Sequence, residues 1–382
     1  SRETSVGDVT VRASSVDVRT VGAGGGSIAH VPELTGALRV GPQSAGATPG
    51  PAAYDKGGIE PTVTDANVVL GYIPSEHVAL GGDEDWKIRK DLAEKSIKPI
   101  AKSLGLSLKQ AAAGIIDIVN ENMYGALRLV SVEKGYDPRD FALIGFGGAG
   151  PLHANALGKL TNSWPVIIPP GPGVLCAYGD VTTNIQDEAS MSFIRRFSDT
   201  SKTEIVKIFE DLAKKASKTL DAEGVPKNKR TTTFQVDLRY LGQGLTINVD
   251  FELSELKKKG LDAIGGKFDD LHEQLFTFSL DEEKELVNLR AVVKDKALSV
   301  KAPSVGRGGP KPSKASIISD DAKVFMDGKN QTATIYQRSK LKHGNVINGP
   351  AVVTEMDSTT LILSKHKGKV DKFGNILITP EA

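Results

Sequence analysis

Cysteine is nearly absent: Cys176 stands alone among 382 residues. A single thiol excludes an internal disulfide and any cysteine-cluster metal site, and it suits a reducing setting, so a cytoplasmic protein is expected. An excess of charge is missing too. Lys and Arg total 48 against 47 for Asp and Glu, a net charge of +1, which gives no electrostatic case for nucleic acid or an anionic membrane. No apolar run approaches the ~20 residues of a membrane span, and no secretory signal is expected at the N-terminus. None of the six histidines forms an H-x-x-x-H or H-E-x-x-H pair, so zinc-protease chemistry has no support.

What is present is an ordinary globular composition, 39% hydrophobic and 25% charged, in a chain long enough for two or three domains with a sizeable core. Its organising stretch runs from Asp140 to His153. Phe141 to Ile144 reads as a short buried strand, too short for a helix and stopped by glycines. Gly145, Gly147, Gly148 and Gly150 make a turn where backbone can approach a ligand closely. Pro151 then suits the first turn of a helix. Strand, turn and helix start form a corner whose bare N–H groups and positive helix end favour phosphate or ribose oxygens. Gly145, Gly147 and Gly150 also fit G-x-G-x-x-G. The dinucleotide reading of that spacing needs an acid ~20 residues on to hold the ribose. The next strand-like run, Trp164 to Ile168, ends instead in Pro169, Pro170 and Gly171.

A second glycine turn, Gly22 to Gly26, lies near the start, with Gly24, Gly25 and Gly26 as its centre. Residues 41–58 are too rich in Gly, Pro, Ser and Ala for a regular element, and long segments of that kind often line a site. Asp65, among Thr62, Thr64 and Asn67, caps the helix that follows, contacts magnesium and water, or does both. His153, at the start of its helix, is either a chemical group facing base or phosphate or a structural hydrogen-bonder. Cys176 reads as a buried small side chain rather than a nucleophile.

Helical spacing predicts helices over 86–104 and from Ser107 to about Val130. Beyond Asp187 the predicted order is β-α-β-β-α-β, which suggests an α+β ferredoxin-like module over 189–300. Its second helix has a weak point at Gly265-Gly266, and Arg239 and Gln243 at a hairpin tip have no evident folding reason. Residues 301–314 read as a flexible connector. Residues 315–382 read as a small β-rich C-terminal domain. There Glu355 and Asp357, two apart, fall on one face of a strand, as acid/base or metal-binding groups or as solubilising charge.

The glycine turns, together with Val40 to Pro51, Pro61 to Asn67, Val132 to Asp140, Pro172 to Leu175, Leu238 to Gln243, Val287 to Arg290 and Asp357 to Thr360, resemble the hydantoinase A/5-oxoprolinase family. That family also includes subunits of ATP-dependent acetone and acetophenone carboxylases. The resemblance runs in family order over nearly the whole chain. It implies an α/β fold in which residues 1–188 belong to a ribonuclease H-like ATPase lobe of the actin/hexokinase/Hsp70 type. It also implies ATP and Mg²⁺ as cofactors, with Gly147, Gly148 and Gly150 on the adenosine side and Asp65 as a metal and catalytic candidate beside His153. Family members carry two phosphate loops that this sequence lacks, so the expected partners are an N-terminal half of the A subunit and a hydantoinase B-like subunit or fused region. An oligomer acting on a small cyclic amide is the implied assembly. The implied reaction is ATP-dependent ring opening through phosphorylation of the amide oxygen. ATP-dependent ketone carboxylation and a non-catalytic binding or assembly role are the alternatives.

Overall fold

The computed structural model describes residues 3–6, 9–12, 18–76, 87–296 and 302–381. Trp86, where the first long helix was expected to begin, lies outside them. The chain divides into two compact units, Ser1–Tyr178 with Ala302–Ala382, and Gly179–Lys301.

The first unit begins with two antiparallel strand pairs, β1 (Glu3–Val6) with β2 (Val9–Arg12) and β3 (Ser27–His30) with β4 (Arg39–Ser44). Helix α1 (Val63–Leu70) is buried at every residue and packs against α2 (Lys90–Leu104) and α3 (Leu108–Val130). Ser107 and Gln110 form the capping box that starts α3, each satisfying an N–H that the first helical turn leaves unpaired. Burial of α3 is confined to one face between Ala111 and Asn120, and Leu129 and Val130 at its end are exposed. Next come β5 (Leu143–Ile144), α4 (Gly150–Thr161), β6 (Val166–Ile168) and the short α5 (Leu175–Val181). Helix α5 buries none of its residues, and Cys176 is exposed rather than buried. Apolar composition does not oblige a short segment to be inside.

The second unit holds β7 (Gln186–Arg196), α6 (Lys202–Ala222), β8 (Arg230–Tyr240), β9 (Ile247–Phe251), α7 (Leu253–Lys259), α8 (Asp262–Phe276) and β10 (Lys284–Asp295). The element order is the expected one, but the sheet order is β7-β10-β8-β9, antiparallel throughout. The last strand therefore lies between the first and second, whereas a ferredoxin-like sheet places the first between the third and last. Strand periodicity shows which face is buried and not which strand is the neighbour. The second helix breaks at Gly260, whose φ is +73°, while Gly265 and Gly266 sit inside α8. Arg239 pairs with Glu285 at 2.6 Å, and the Gln243 amide lies 3.4 Å from His272; both residues thus have folding roles.

The chain then adds β11 (Ile317–Met326), β12 (Lys329–Gln337), β13 (Val346–Asn348), β14 (Ala351–Thr354), β15 (Thr359–Ile362), β16 (His366–Val370) and β17 (Ile376–Pro380) to the first unit. Residues 315–382 do not stand apart as a β-rich domain. Strand β17 pairs antiparallel with β6, which pairs in parallel with β5, in a sheet ordered β13-β16-β17-β6-β5. The expected connector is also held in place, with Val305 N–H on Lys372 O at 3.0 Å and Gly308 N–H on His343 O at 2.8 Å. Ile168, Ile376 and Ile378 are fully buried where the middle of the chain meets residues 376–380.

That junction is a stability test. Ile168→Ala is expected to cost about 3 kcal/mol in urea unfolding, through lost burial and the cavity left behind. Met356→Ala, at a residue 69% exposed, is expected to change stability by less than about 0.5 kcal/mol.

Candidate functional site

The turn between β5 and α4 assigns each glycine a separate task. A Cβ on Gly145 would lie 2.5 Å from Ala154 Cβ and 2.8 Å from Ile168 Cδ1, so its bare backbone lets α4 close onto β6. Gly147 adopts φ +84°, a left-handed conformation that favours glycine, and its N–H donates to Pro172 O at 2.7 Å. Gly148 leads into the start of α4.

The second glycine turn meets the first. Ser27 N–H donates to Gly24 O at 3.0 Å, and Gly24 N–H donates to Ser27 Oγ at 2.9 Å. Gly25 O accepts from Thr64 N–H at 2.9 Å. A Cβ on Gly25 would sit 2.7 Å from Thr64 Oγ1, so this turn seats tightly on the start of α1. Gly25 and Gly26 from one turn and Gly148 and Ala149 from the other line a single cavity of about 280 Å³. Tyr54, Thr64 and Asn67 complete one wall, and Glu355, Asp357 and Ser358 another. The backbone N–H groups of Gly25, Gly26, Gly148 and Ala149 donate to no protein acceptor among the described residues.

Glu355 and Asp357 occupy the turn joining β14 to β15 rather than one face of a strand. The turn closes through Glu355 N–H on Ser358 O at 3.1 Å. Ser358 Oγ donates to Gly148 O at 3.1 Å and to Gly147 O at 3.3 Å, tying this turn to the glycines. Arg338, 8% exposed, donates to Glu355 at 3.2 Å, to Ile168 O at 2.8 Å and to Gly374 O at 2.9 Å. Glu355 also accepts from Gly171 N–H at 3.2 Å. Burial pushes the Glu355 carboxyl above its ordinary range, and Arg338 opposes that push.

Two predicted site residues do not reach the cavity wall. Asp65 is fully buried and accepts from Ala52 N–H, Ala53 N–H, Thr62 N–H and Thr62 Oγ1 at 2.7–3.3 Å. It is the acidic member of a capping box at α1, and burial pushes its carboxyl up against the pull of those donors. With four protein donors in place, Asp65 caps α1. Among the described residues no cluster of three or more His, Cys, Asp or Glu could hold a metal. His153 is 2% exposed, with Nδ1 at 2.8 Å from Asn120 Oδ1 and Nε2 buried without a partner among the described residues, so it joins α4 to α3. Of the predicted glycines, Gly25, Gly26 and Gly148 line the cavity, whereas Gly24, Gly147 and Gly150 shape the turns beside it. Asn67, Tyr54 and Thr64 were not foreseen as wall residues, and only the Pro61 to Asn67 motif pointed at two of them.

A wider concavity of about 690 Å³, lined by Arg307, His343, Lys367 and Lys369, gathers none of the predicted residues.

Residues 1–189 match the hydantoinase/oxoprolinase family model, and residues 196–376 match the model of its C-terminal domain. The chain belongs to the hydantoinase/oxoprolinase family. It is 39% identical over 371 residues to an uncharacterized protein of Methanocaldococcus jannaschii, covering 96% of this chain and 52% of that one. It is 34% identical to the caprolactamase subunit alpha of Pseudomonas jessenii, across 96% of this chain and 53% of the relative. The crystal structure of the ATP-dependent caprolactamase superposes with a TM-score of 0.86, covering 98% of this chain and 54% of that chain. The acetophenone carboxylase gamma subunit of Aromatoleum aromaticum is 32% identical over 95% of this chain and 51% of its own length. The chain thus spans about half the length of these relatives, and its mixed α/β fold is that of the caprolactamase.

Burial lowers the His153 pKa from 6.5 to about 4. The unfolded chain therefore binds this proton more tightly than the folded one. The associated stability is complete above pH 6.5 and is lost as pH falls toward 4, at about 1.4 kcal/mol per pH unit. Urea unfolding between pH 7 and 4 is expected to show this slope, and His153→Gln is expected to flatten that part of the profile.

Proposed function

We propose that this chain is the nucleotide-side component of an ATP-dependent cyclic amide hydrolase of the oxoprolinase and caprolactamase kind. One observation carries the reading: two glycine turns far apart in sequence line one cavity and leave their N–H groups uncommitted. Such groups, with the positive end of α4 beside them, suit the oxygens of a nucleotide. This is the placement expected of a base-side loop in an actin/hexokinase/Hsp70-type site.

The donor set fits ATP. Gly25, Gly26, Gly148 and Ala149 would hold its oxygens through backbone N–H groups, while Tyr54 and Leu152 give the cavity apolar surface. Bound ATP would supply a phosphoryl group to the oxygen of an amide too unreactive for direct attack by water. This chain's part in that chemistry is positioning and exclusion of solvent. Mg²⁺ does not fit at Asp65, whose carboxylate is already saturated by protein donors. The groups that grip the remaining phosphates and bind the ring are assigned to an N-terminal A-subunit half and a B-like subunit, in keeping with relatives named as subunits. Carboxylation of a ketone is the second reading, because the acetophenone carboxylase gamma subunit is nearly as similar, at 32% identity, as caprolactamase subunit alpha at 34%.

Phosphate release by the intact enzyme with its partner separates these readings. Stimulation of ATP turnover by a lactam, 5-oxoproline or hydantoin supports ring opening, whereas a requirement for bicarbonate and a ketone transfers the chain to the carboxylase branch. A Cβ at Gly148 would meet only ordinary contact, 3.6 Å from Asp357 O. Gly148→Val is therefore expected to fold, yet to lower ATP affinity by roughly 10-fold or more by filling the cavity.

A further inference from the structure

The cavity walls beside the glycine turns carry acceptors that no protein group satisfies. Asn67 is 2% exposed, and its Nδ2 donates to Val63 O at 3.0 Å, which fixes the orientation of the amide. Its Oδ1 is buried with no partner, and so is Asp357 Oδ2. Both residues line the same cavity, and no lysine or arginine lines it with them. Arg338, the nearby cation, already bonds Glu355 and the carbonyls of Ile168 and Gly374. Leaving a buried acceptor without a donor costs about 1–3 kcal/mol, and more where it is charged. Such orphans call for a specific reason, and both belong to residues that line one cavity, where a ligand that brings donors would account for them.

The seat of Asp357 is shaped for that purpose. An added Cβ on Gly173 would lie 2.8 Å from both Asp357 Cβ and Asp357 Oδ2. The elbow after β6 is thus bare where the carboxylate rests, and Gly171 N–H, two residues earlier, fixes Glu355. The Ser358 bonds to Gly147 and Gly148 bring Asp357 against the turn that offers donors. The glycine turns therefore suit a ligand's acceptors, and Asn67 and Asp357 its hydrogen-bond donors. In a nucleotide, the group that joins the phosphate to the base and carries paired O–H donors is the ribose.

We infer that Asp357 selects for ribose in this cavity, accepting a hydroxyl of the sugar with its carboxylate, and that the Asn67 carboxamide is a second acceptor for the same ligand. The inference rests on the nucleotide reading and adds the residues that tell a ribonucleotide from its deoxy analogues. Asp357 thereby supplies, from the far end of the chain, the acid that the glycine spacing lacked downstream in sequence.

The test is equilibrium binding of ATP, 2′-deoxy-ATP, 3′-deoxy-ATP and inosine triphosphate to the intact protein. Wild type, Asp357→Asn and Gly173→Ala are compared, with circular dichroism confirming that each is folded. Wild type is expected to lose roughly 10-fold or more in affinity for at least one deoxy analogue. Asp357→Asn is expected to lose a similar factor for ATP and little more for that analogue, the signature of a coupled pair. Gly173→Ala, which displaces the carboxylate without removing it, is expected to behave in the same way. Equal wild-type affinity for ATP and both deoxy analogues would overturn the ribose assignment and leave the nucleotide reading intact. A loss confined to inosine triphosphate would move the donor to the base amine and also overturn it. No binding of ATP by the wild-type protein would overturn both.

Discussion

A buried guanidinium holds the cavity wall in place. Arg338 follows β12, and its donors reach the end of β6, the turn before β17 and the carboxylate of Glu355. Burying such a charge is costly unless every donor finds an acceptor. The arrangement is therefore stable only when segments from the middle and the end of the chain are assembled together. Burial lowers the Arg338 pKa and the nearby carboxylates raise it, so removing Glu355 would leave a cation stranded among carbonyls. The turn that carries Asp357 is thereby fixed relative to β6, and through Ser358 to the glycines.

The same constraint explains why residues 315–382 do not form a domain of their own. Strand β6 is only three residues long and is bordered by β5 and β17, and neither neighbour would suffice to bury it alone. The glycine turn sits directly above this seam, with Gly145 N–H on Ile167 O at 2.9 Å. A functional corner built on a strand that β17 borders cannot form before residues 376–380 are in place. Capping adds a second anchor. Asp65 gathers the N–H groups of Ala52 and Ala53 onto the start of α1, which steadies Thr64 beneath Gly25.

Local chemistry was readable in the sequence, and partner choice was not. The turn and helix around Gly145 to His153 follow from glycine and proline preferences, whereas the buried strand expected over Phe141 to Ile144 is only Leu143–Ile144 with Ile144 exposed, and the Ser107 cap follows from a hydroxyl before an apolar periodic run. Both glycine turns could be named from their residues, because backbone that must bend or approach closely leaves a compositional mark. The neighbours of β10 and β17 left none, since the alternation of a strand records only its buried face. Asp65 and His153 were drawn toward chemistry by residue type, but the outcome turned on the hydrogen-bond partners each would meet. Ala52, Ala53 and Asn120 lie too far away in sequence for a motif to register them.

Glu355 and Asp357 show how little residue type decides when two carboxylates are neighbours. One faces Arg338 and the Gly171 N–H, so its charge is absorbed within the protein and its role is to fix the turn. The other is two residues on, against the bare backbone of Gly173, with one oxygen buried and unpartnered. Exchanging the two environments would reverse the roles, because a carboxylate that already has its donors has nothing left to offer a ligand. The division also makes use of their closeness. Arg338 holds Glu355, that turn holds Asp357 against the glycines, and Asp357 needs no cation of its own to stay at the cavity wall.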